Sequence, residues 1–216
     1  MKKVLNGCVL LACLGGLASL PLAAQETENS LFTGAFGAGF TTPVYRAASE
    51  LDRGWNVNAQ AGVNLFDAHL SLVGEFAFND MGINSNTLAT VGFPGGSTFL
   101  WRFSADPIIR FRPHSRVSLY LIGGPGVYHR RVDFTQPTIA TFTGFNPFFG
   151  VFYPIAVPVN QVVLSYTTTK LGWNGGGGLN FGLGHGHTKF FAEARYDQMN
   201  TRIKTAWIPV TFGFRW

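Results

Sequence analysis

The chain is poor in cysteine and poor in charge. Its two cysteines, Cys8 and Cys13, both lie in a segment that reads as removable, so the mature protein is expected to hold no disulfide, thiol nucleophile or thiolate metal site. Charged residues make up 12% of the 216 positions, about half the share of an average soluble domain. The scarcity is not that of a disordered chain, which would be rich in charge and poor in aromatics; here there are 21 Phe, five Trp and six Tyr. The formal charge of +5 includes Lys2 and Lys3, and what remains is too small an excess to point to nucleic acid. Beyond the N-terminus no apolar run reaches the roughly 18 residues of a membrane helix. No GxSxG, HExxH, phosphate-loop or GxGxxG match occurs, so the sequence carries no hydrolase, zincin or nucleotide-binding signature.

What is present begins with an address. Lys2 and Lys3 precede an apolar stretch from Val9 to Leu22, broken by Gly15 and Gly16, and the small pair Ala23-Ala24 precedes polar Gln25-Glu26-Thr27-Glu28. That order predicts a secretory signal peptide over residues 1–24 and one domain over residues 25–216. An uncleaved anchor helix is the competing reading, and the short, glycine-interrupted run counts against it.

Period-two alternation marks strands with two unlike environments. One face collects Phe32, Phe36 and Phe40; Trp55, Val57 and Ala59; Leu72, Phe76 and Phe78; Trp101, Phe103 and Ile109; Leu171, Trp173 and Leu179; Phe190, Ala192 and Tyr196; and Val210, Phe212 and Phe214. The opposite face carries Glu75, Arg102, Asp106, Arg110, Lys189, Glu193, Arg195, Asp197 and Arg215. The strand around Val117 to Val132 is ambiguous; Val117, Leu119, Leu121 and Val127 are expected outward, with Tyr120 and Tyr128 inward. Pro107 lacks a backbone donor, so a bulge or bend is expected there. A soluble sandwich puts its charges outside and its aliphatics in a small interior. A lipid-facing sheet does the reverse, because charges cost about 2–4 kcal/mol at a bilayer midplane.

Connection lengths agree. Tight links are expected at Phe66-Asp67-Ala68-His69, Arg112-Pro113-His114-Ser115 and Gly184-His185-Gly186-His187, and long ones at about 41–54, 80–97, 133–161 and 199–206. Strict alternation of tight and long links fits turns on one side of a membrane and loops on the other. The prediction is an all-β, eight-stranded antiparallel up-and-down transmembrane β-barrel.

Three stretches carry a family resemblance. Residues 170–181 (Lys-Leu-Gly-Trp-Asn-Gly-Gly-Gly-Gly-Leu-Asn-Phe), 190–196 (Phe-Phe-Ala-Glu-Ala-Arg-Tyr) and 210–216 (Val-Thr-Phe-Gly-Phe-Arg-Trp) resemble the glycine-rich, penultimate and closing strands of the small outer-membrane β-barrel domain family, the OmpX- and OmpA-transmembrane-domain-like proteins of Gram-negative bacteria. The resemblance implies the cell outer membrane as location, reached by export, and a closing aromatic, Trp216, read by the barrel-assembly machinery during insertion.

Site expectations follow. The nine inward charges, five cations and four anions, are expected to form an ion-paired plug, since an eight-stranded lumen is just wide enough for side chains; a gated ion or proton path is the alternative. Trp55 and Trp101 toward the outside, with Phe111 and Trp216 toward the periplasm, are expected as an aromatic girdle, with ligand stacking as the other use of such rings. Arg130 and Arg131, beside His129 at the outer rim, are candidates for lipopolysaccharide phosphates, as against plain solvated charges; Arg46, Arg53, Arg202 and Lys204 lie in the long loops. The 133–161 segment, with Phe134, Phe142, Phe145, Phe148, Phe149, Phe152, Tyr153 and Ile155, is expected either to recruit a surface partner by strand addition or to fold over the barrel mouth. No cofactor and no metal are expected, the weak pair His185 and His187 included. No catalytic residue is expected either, because His129 is the one histidine near the outer leaflet and has no serine and acid beside it. The function expected is a structural or adhesion-like surface role through long extracellular loops, with a narrow porin-like channel as the alternative.

Overall fold

Alternating residues can serve two environments at once only if the backbone is extended, and the chain forms eight long strands. They are β1 (Phe32–Val44), β2 (Leu51–Leu65), β3 (Leu70–Ile83), β4 (Gly95–Phe111), β5 (Val117–Asn146), β6 (Val151–Gly182), β7 (Lys189–Met199) and β8 (Thr205–Arg215). The computed structural model describes residues 31–66, 68–183, 188–202 and 205–216. The signal peptide over 1–24, Asp67 of the first tight turn, the 184–187 turn with His185 and His187, and Lys204 lie outside the described residues.

Each strand pairs antiparallel with its sequence neighbours, and β1 pairs with β8 from Ala35↔Arg215 to Val44↔Ala206, closing the sheet into a barrel. Closure removes the open edges of the wall. The outward face is apolar: Phe36, Phe40, Leu72, Phe103, Ile109, Leu121, Leu171, Phe212 and Phe214 are all exposed. Glu75, Arg102, Asp106, Glu193 and Arg195 are buried on the inward face. In β5, Ser118, Tyr120, Ile122 and Tyr128 point in, while Val117, Leu119, Leu121 and Val127 point out. At Pro107 the register on the β3 side is unbroken. The irregularity appears on the other side, where the β4–β5 ladder lapses between Ser104↔Gly126 and Ile108↔Ile122, the stretch that holds Pro107 and Pro125 with no donor between them.

The glycine run of β6 has a steric cause. A Cβ on Gly178 would stand 2.6 Å from the Tyr120 hydroxyl, and one on Gly172 would stand 2.7 Å from the Tyr128 ring. On Gly176 it would meet the Ala194 carbonyl at 2.2 Å, whereas outward Gly175 has its nearest neighbour at 3.6 Å. The inward glycines vacate lumen volume that two tyrosines and Arg195 occupy.

The long connections are more ordered than expected. The first contains a single helical turn, α1 (Ala47–Glu50), and the second a helix, α2 (Ser85–Val91). Helix α2 is capped by the Asn84 side chain accepting from the Asn86 amide at 2.9 Å and ends at Gly92 in the left-handed region, the usual role of glycine past a helix end. The largest correction concerns residues 133–161. They are not a loop: β5 and β6 continue as one ladder, with a single register shift at Phe134/Thr135, out to Asn146↔Val151. At about 3.4 Å per residue the ladder beyond Thr135 projects on the order of 35–40 Å.

The two regions of exposed apolar surface should answer differently to charge. Phe103→Arg, in the lipid-facing band, is expected to destabilise the folded barrel by about 2–4 kcal/mol. Val157→Arg, on the projecting hairpin, is expected to change stability by about 0.5 kcal/mol or less. Heat-dependent gel mobility of the refolded variants checks both.

Candidate functional site

The lumen is filled in layers, each set by which inward positions of adjacent strands fall at one height. The central layer is ionic. Arg102 on β4 donates to Glu75 on β3 and to Asp197 on β7, strands on opposite sides of the ring. Arg195 on β7 donates to Glu193 at 2.6 Å and Asp106 at 3.0 Å, and also to Glu75. Glu75 therefore sits between two guanidinium groups and accepts a third bond from Gln60 at 2.7 Å. Asp106 also accepts from Ser104 at 2.7 Å and Asn174 at 2.8 Å. Glu193 accepts from the Tyr120 hydroxyl at 2.7 Å and lies 3.7 Å from Arg215. The Arg215 guanidinium stacks over the Tyr120 ring at 4.4 Å and the Phe191 ring at 5.0 Å. A void beside Glu75, Arg102 and Arg195 measures about 10 Å³, room for about one water.

Apolar layers bracket the ions. Met81, Leu100, Tyr128, Met199 and Trp207 close the extracellular side, with Tyr128 and Trp207 edge to face at 5.6 Å. Val73, Ile108, Tyr120 and Ile122 lie on the periplasmic side. Buried ions in so dry a setting hold because each is paired. Glu75, Asp106, Glu193 and Arg195 are further hydrogen-bonded, whereas the Arg102 Nε and the Asp197 Oδ2 make no further hydrogen bond among the described residues.

Eight of the nine inward charges expected from the sequence are buried or nearly so, but two stand apart from this network. Lys189 is half-buried and donates to the Pro113 carbonyl. Arg110 donates to the Asn64 side chain at 3.1 Å, the Ala68 carbonyl at 3.3 Å and the Ser71 hydroxyl. Both lie nearer the periplasmic turns than any carboxylate of the network does, so they brace the rim. The partners Gln60, Ser104, Tyr120 and Asn174 were not foreseen, nor was the cap formed by Met81, Leu100, Met199 and Trp207. Their inward parity was the available signal.

Outside the barrel, Trp55 and Trp101 flank Phe78 at 5.3 and 5.9 Å toward the extracellular end. Phe111 and Trp216 are exposed at the periplasmic ends of their strands. At the outer rim the structure separates the two arginines expected to act together. Adjacent residues of a strand face opposite ways, so Arg130 turns into the barrel mouth and donates to Thr205 at 3.4 Å. Arg131 turns outward and binds Asp133 through its Nε at 2.8 and 3.0 Å. Burial would raise the Asp133 carboxyl, but hydrogen bonds from Arg131 and Ser165 and the Arg131 charge hold it below its ordinary value. His129 Nδ1 lies 2.7 Å from the Thr169 hydroxyl. Among the described residues no three His, Cys, Asp or Glu side chains converge as a metal site.

Glu75→Ala leaves two buried guanidinium groups short of a partner and is expected to cost about 3–5 kcal/mol. Glu193→Ala should cost less, since Arg195 keeps Glu75 and Asp106. Loss of the folded, faster-migrating form on heating in detergent ranks the two, and an equal or reversed ranking contradicts the pairing.

Comparison with known proteins comes down to fold. The family profile described as outer membrane protein beta-barrel domain matches residues 9–215, and no curated protein matches the chain in sequence. The crystal structure of Neisserial surface protein A is similar at 15% identity and TM-score 0.57, covering 86% of this chain and 96% of that one. Ail, the attachment invasion locus protein of Yersinia pestis, solved with the heparin analogue sucrose octasulfate, is similar at 19% identity and TM-score 0.48, covering 87% of this chain and 100% of that one.

Proposed function

The chain belongs to the outer membrane protein beta-barrel domain family, and from that premise we propose that it is a non-conducting surface protein whose barrel holds the β5–β6 hairpin out to an apolar partner. One observation carries the reading. From Phe134 to Thr169 there is no Asp, Glu, Lys, Arg or His, although the segment stands in solvent, with Phe148 93% exposed at its tip. A surface so devoid of charge has no electrostatic means of recognition and a large apolar one. Phe142, Ile155, Val157 and Tyr153 share one face of the hairpin through the pairs Phe142↔Ile155, Ala140↔Val157 and Gly144↔Tyr153.

The hairpin edges are also open, since β4 pairs with β5 no further than Thr135 and β7 meets β6 only from Gly172. Pro137, Pro154 and Pro158 remove donors along those edges, a common defence against strand addition. The reading therefore favours docking on the side-chain face. Folding over the mouth is not part of it, because the limbs pair with each other to the tip and leave Phe148 and Phe149 exposed. The ion-paired layer and its apolar caps support a closed lumen. In this reading residues 1–24 direct export, and Trp216, paired with Gly34 at 3.0 and 3.1 Å, closes the barrel as the residue that the assembly machinery reads. Arg131 is the rim cation that faces lipid phosphates, although Asp133 already meets its charge. The reading assigns no catalysis.

Replacing residues 136–160 with a tight turn is expected to leave heat-dependent gel mobility unchanged and to abolish attachment of whole cells to an apolar-coated surface. Attachment that survives the deletion overturns the hairpin's role. In planar bilayers the refolded full chain is expected to give no discrete current steps; reproducible steps would establish the channel alternative.

A further inference from the structure

Above the apolar cap, the extracellular mouth contains a pocket of about 160 Å³, close to the roughly 150 Å³ of a cavity known to hold benzene. Its apolar wall comes from Leu51, Ile83, Val132 and Phe134, and on its polar wall Thr98 and Arg130 stand with Arg46, Glu50, Thr87 and Thr205. Two polar groups of that wall lack hydrogen-bond partners among the described residues. Thr98 is 1% exposed and its hydroxyl makes no hydrogen bond; the Arg130 Nε is buried and likewise unpaired, while its Nη1 reaches Thr205 at 3.4 Å. Thr98 pairs with Val132 and Leu100 with Arg130, so the two donors sit diagonally on neighbouring strands, within reach of one small ligand group.

Charge narrows the class. The other ions of the lining, Arg46 and Glu50, bind each other at 3.2 Å, which leaves Arg130 as the lining charge without an ion pair among the described residues. Buried donors without acceptors are costly, and a carboxylate satisfies a guanidinium N–H and a hydroxyl with its two oxygens. We propose that this mouth pocket binds a small organic monocarboxylate with an apolar body about the size of a benzene ring. The carboxylate lies on Arg130 and Thr98 and the body against Leu51, Ile83, Val132 and Phe134. Met81, Leu100 and Tyr128 close the floor one inward position below Ile83, Thr98 and Arg130. The ligand therefore enters and leaves on the extracellular side and does not pass through. The site is independent of the hairpin's role.

The probe is benzoate, titrated into the refolded full chain in lipid nanodiscs and followed by ligand-observed NMR, with benzamide as its uncharged counterpart. Benzoate is expected to bind about tenfold or more tightly than benzamide, the scale of one charge-assisted hydrogen bond. Arg130→Gln should erase that preference, Arg130→Lys should keep part of it, and Thr98→Val should weaken benzoate severalfold. Arg131→Gln, on the opposite face, should change nothing. The proposal is overturned if benzoate and benzamide bind alike, if Arg130→Gln binds benzoate as the parent does, or if a chain with folded gel mobility binds no benzoate at all.

Discussion

Hydrocarbon offers a peptide group nothing to hydrogen-bond to, and most of this structure follows from that single constraint. A sheet placed in such a solvent must pair every backbone donor and acceptor with its own strands, which eight strands achieve only by bringing β8 back to β1. Once the wall is closed, its outer face must be greasy, and the polar side chains that alternate with the greasy ones are confined to a narrow lumen. Phe103 outside and Arg102 inside are thus two consequences of the same backbone geometry.

Confinement then creates its own problem. Arginine and carboxylate groups removed from water are stable only with partners at close range, and the lumen meets this by sharing. Glu75 serves Arg102 and Arg195 together, and Arg102 spans from β3 to β7. The glycines of β6 belong to the same solution, because the volume they leave empty is filled by Tyr120, Tyr128 and Arg195. The apolar cap of Met81, Leu100, Met199 and Trp207 keeps solvent from the ions. The cap also forms the floor of the mouth, where Thr98 and Arg130 end up facing a cavity.

The barrel wall was legible because period-two alternation is a local property. The inward and outward parity of seven strands could be read from single residues such as Phe36, Leu72 or Glu193, and only β5 was ambiguous. The expectation for 133–161 failed for an equally local reason. Scattered Pro, Gly and Asn within an aromatic stretch look like loop chemistry, and only the partner limb, supplying Ala140↔Val157 and Phe142↔Ile155, makes the segment a ladder. The rim arginines are a different case. That Arg130 and Arg131 face opposite ways was implicit in the alternation already used for the rest of β5, but charge clustering along the chain drew the two together.

Sequence alone determined the strand count, the lipid-facing and lumen-facing sets, and the charge-free stretch from Phe134 to Thr169, since each depends on the order of residues along one chain. The tertiary structure decided which carboxylate meets which arginine, why the β6 glycines are there, and how the mouth pocket is lined. Those depend on the stagger of strands around the ring. A rotation of register by two residues would preserve every inward and outward assignment while bringing different side chains to the same height.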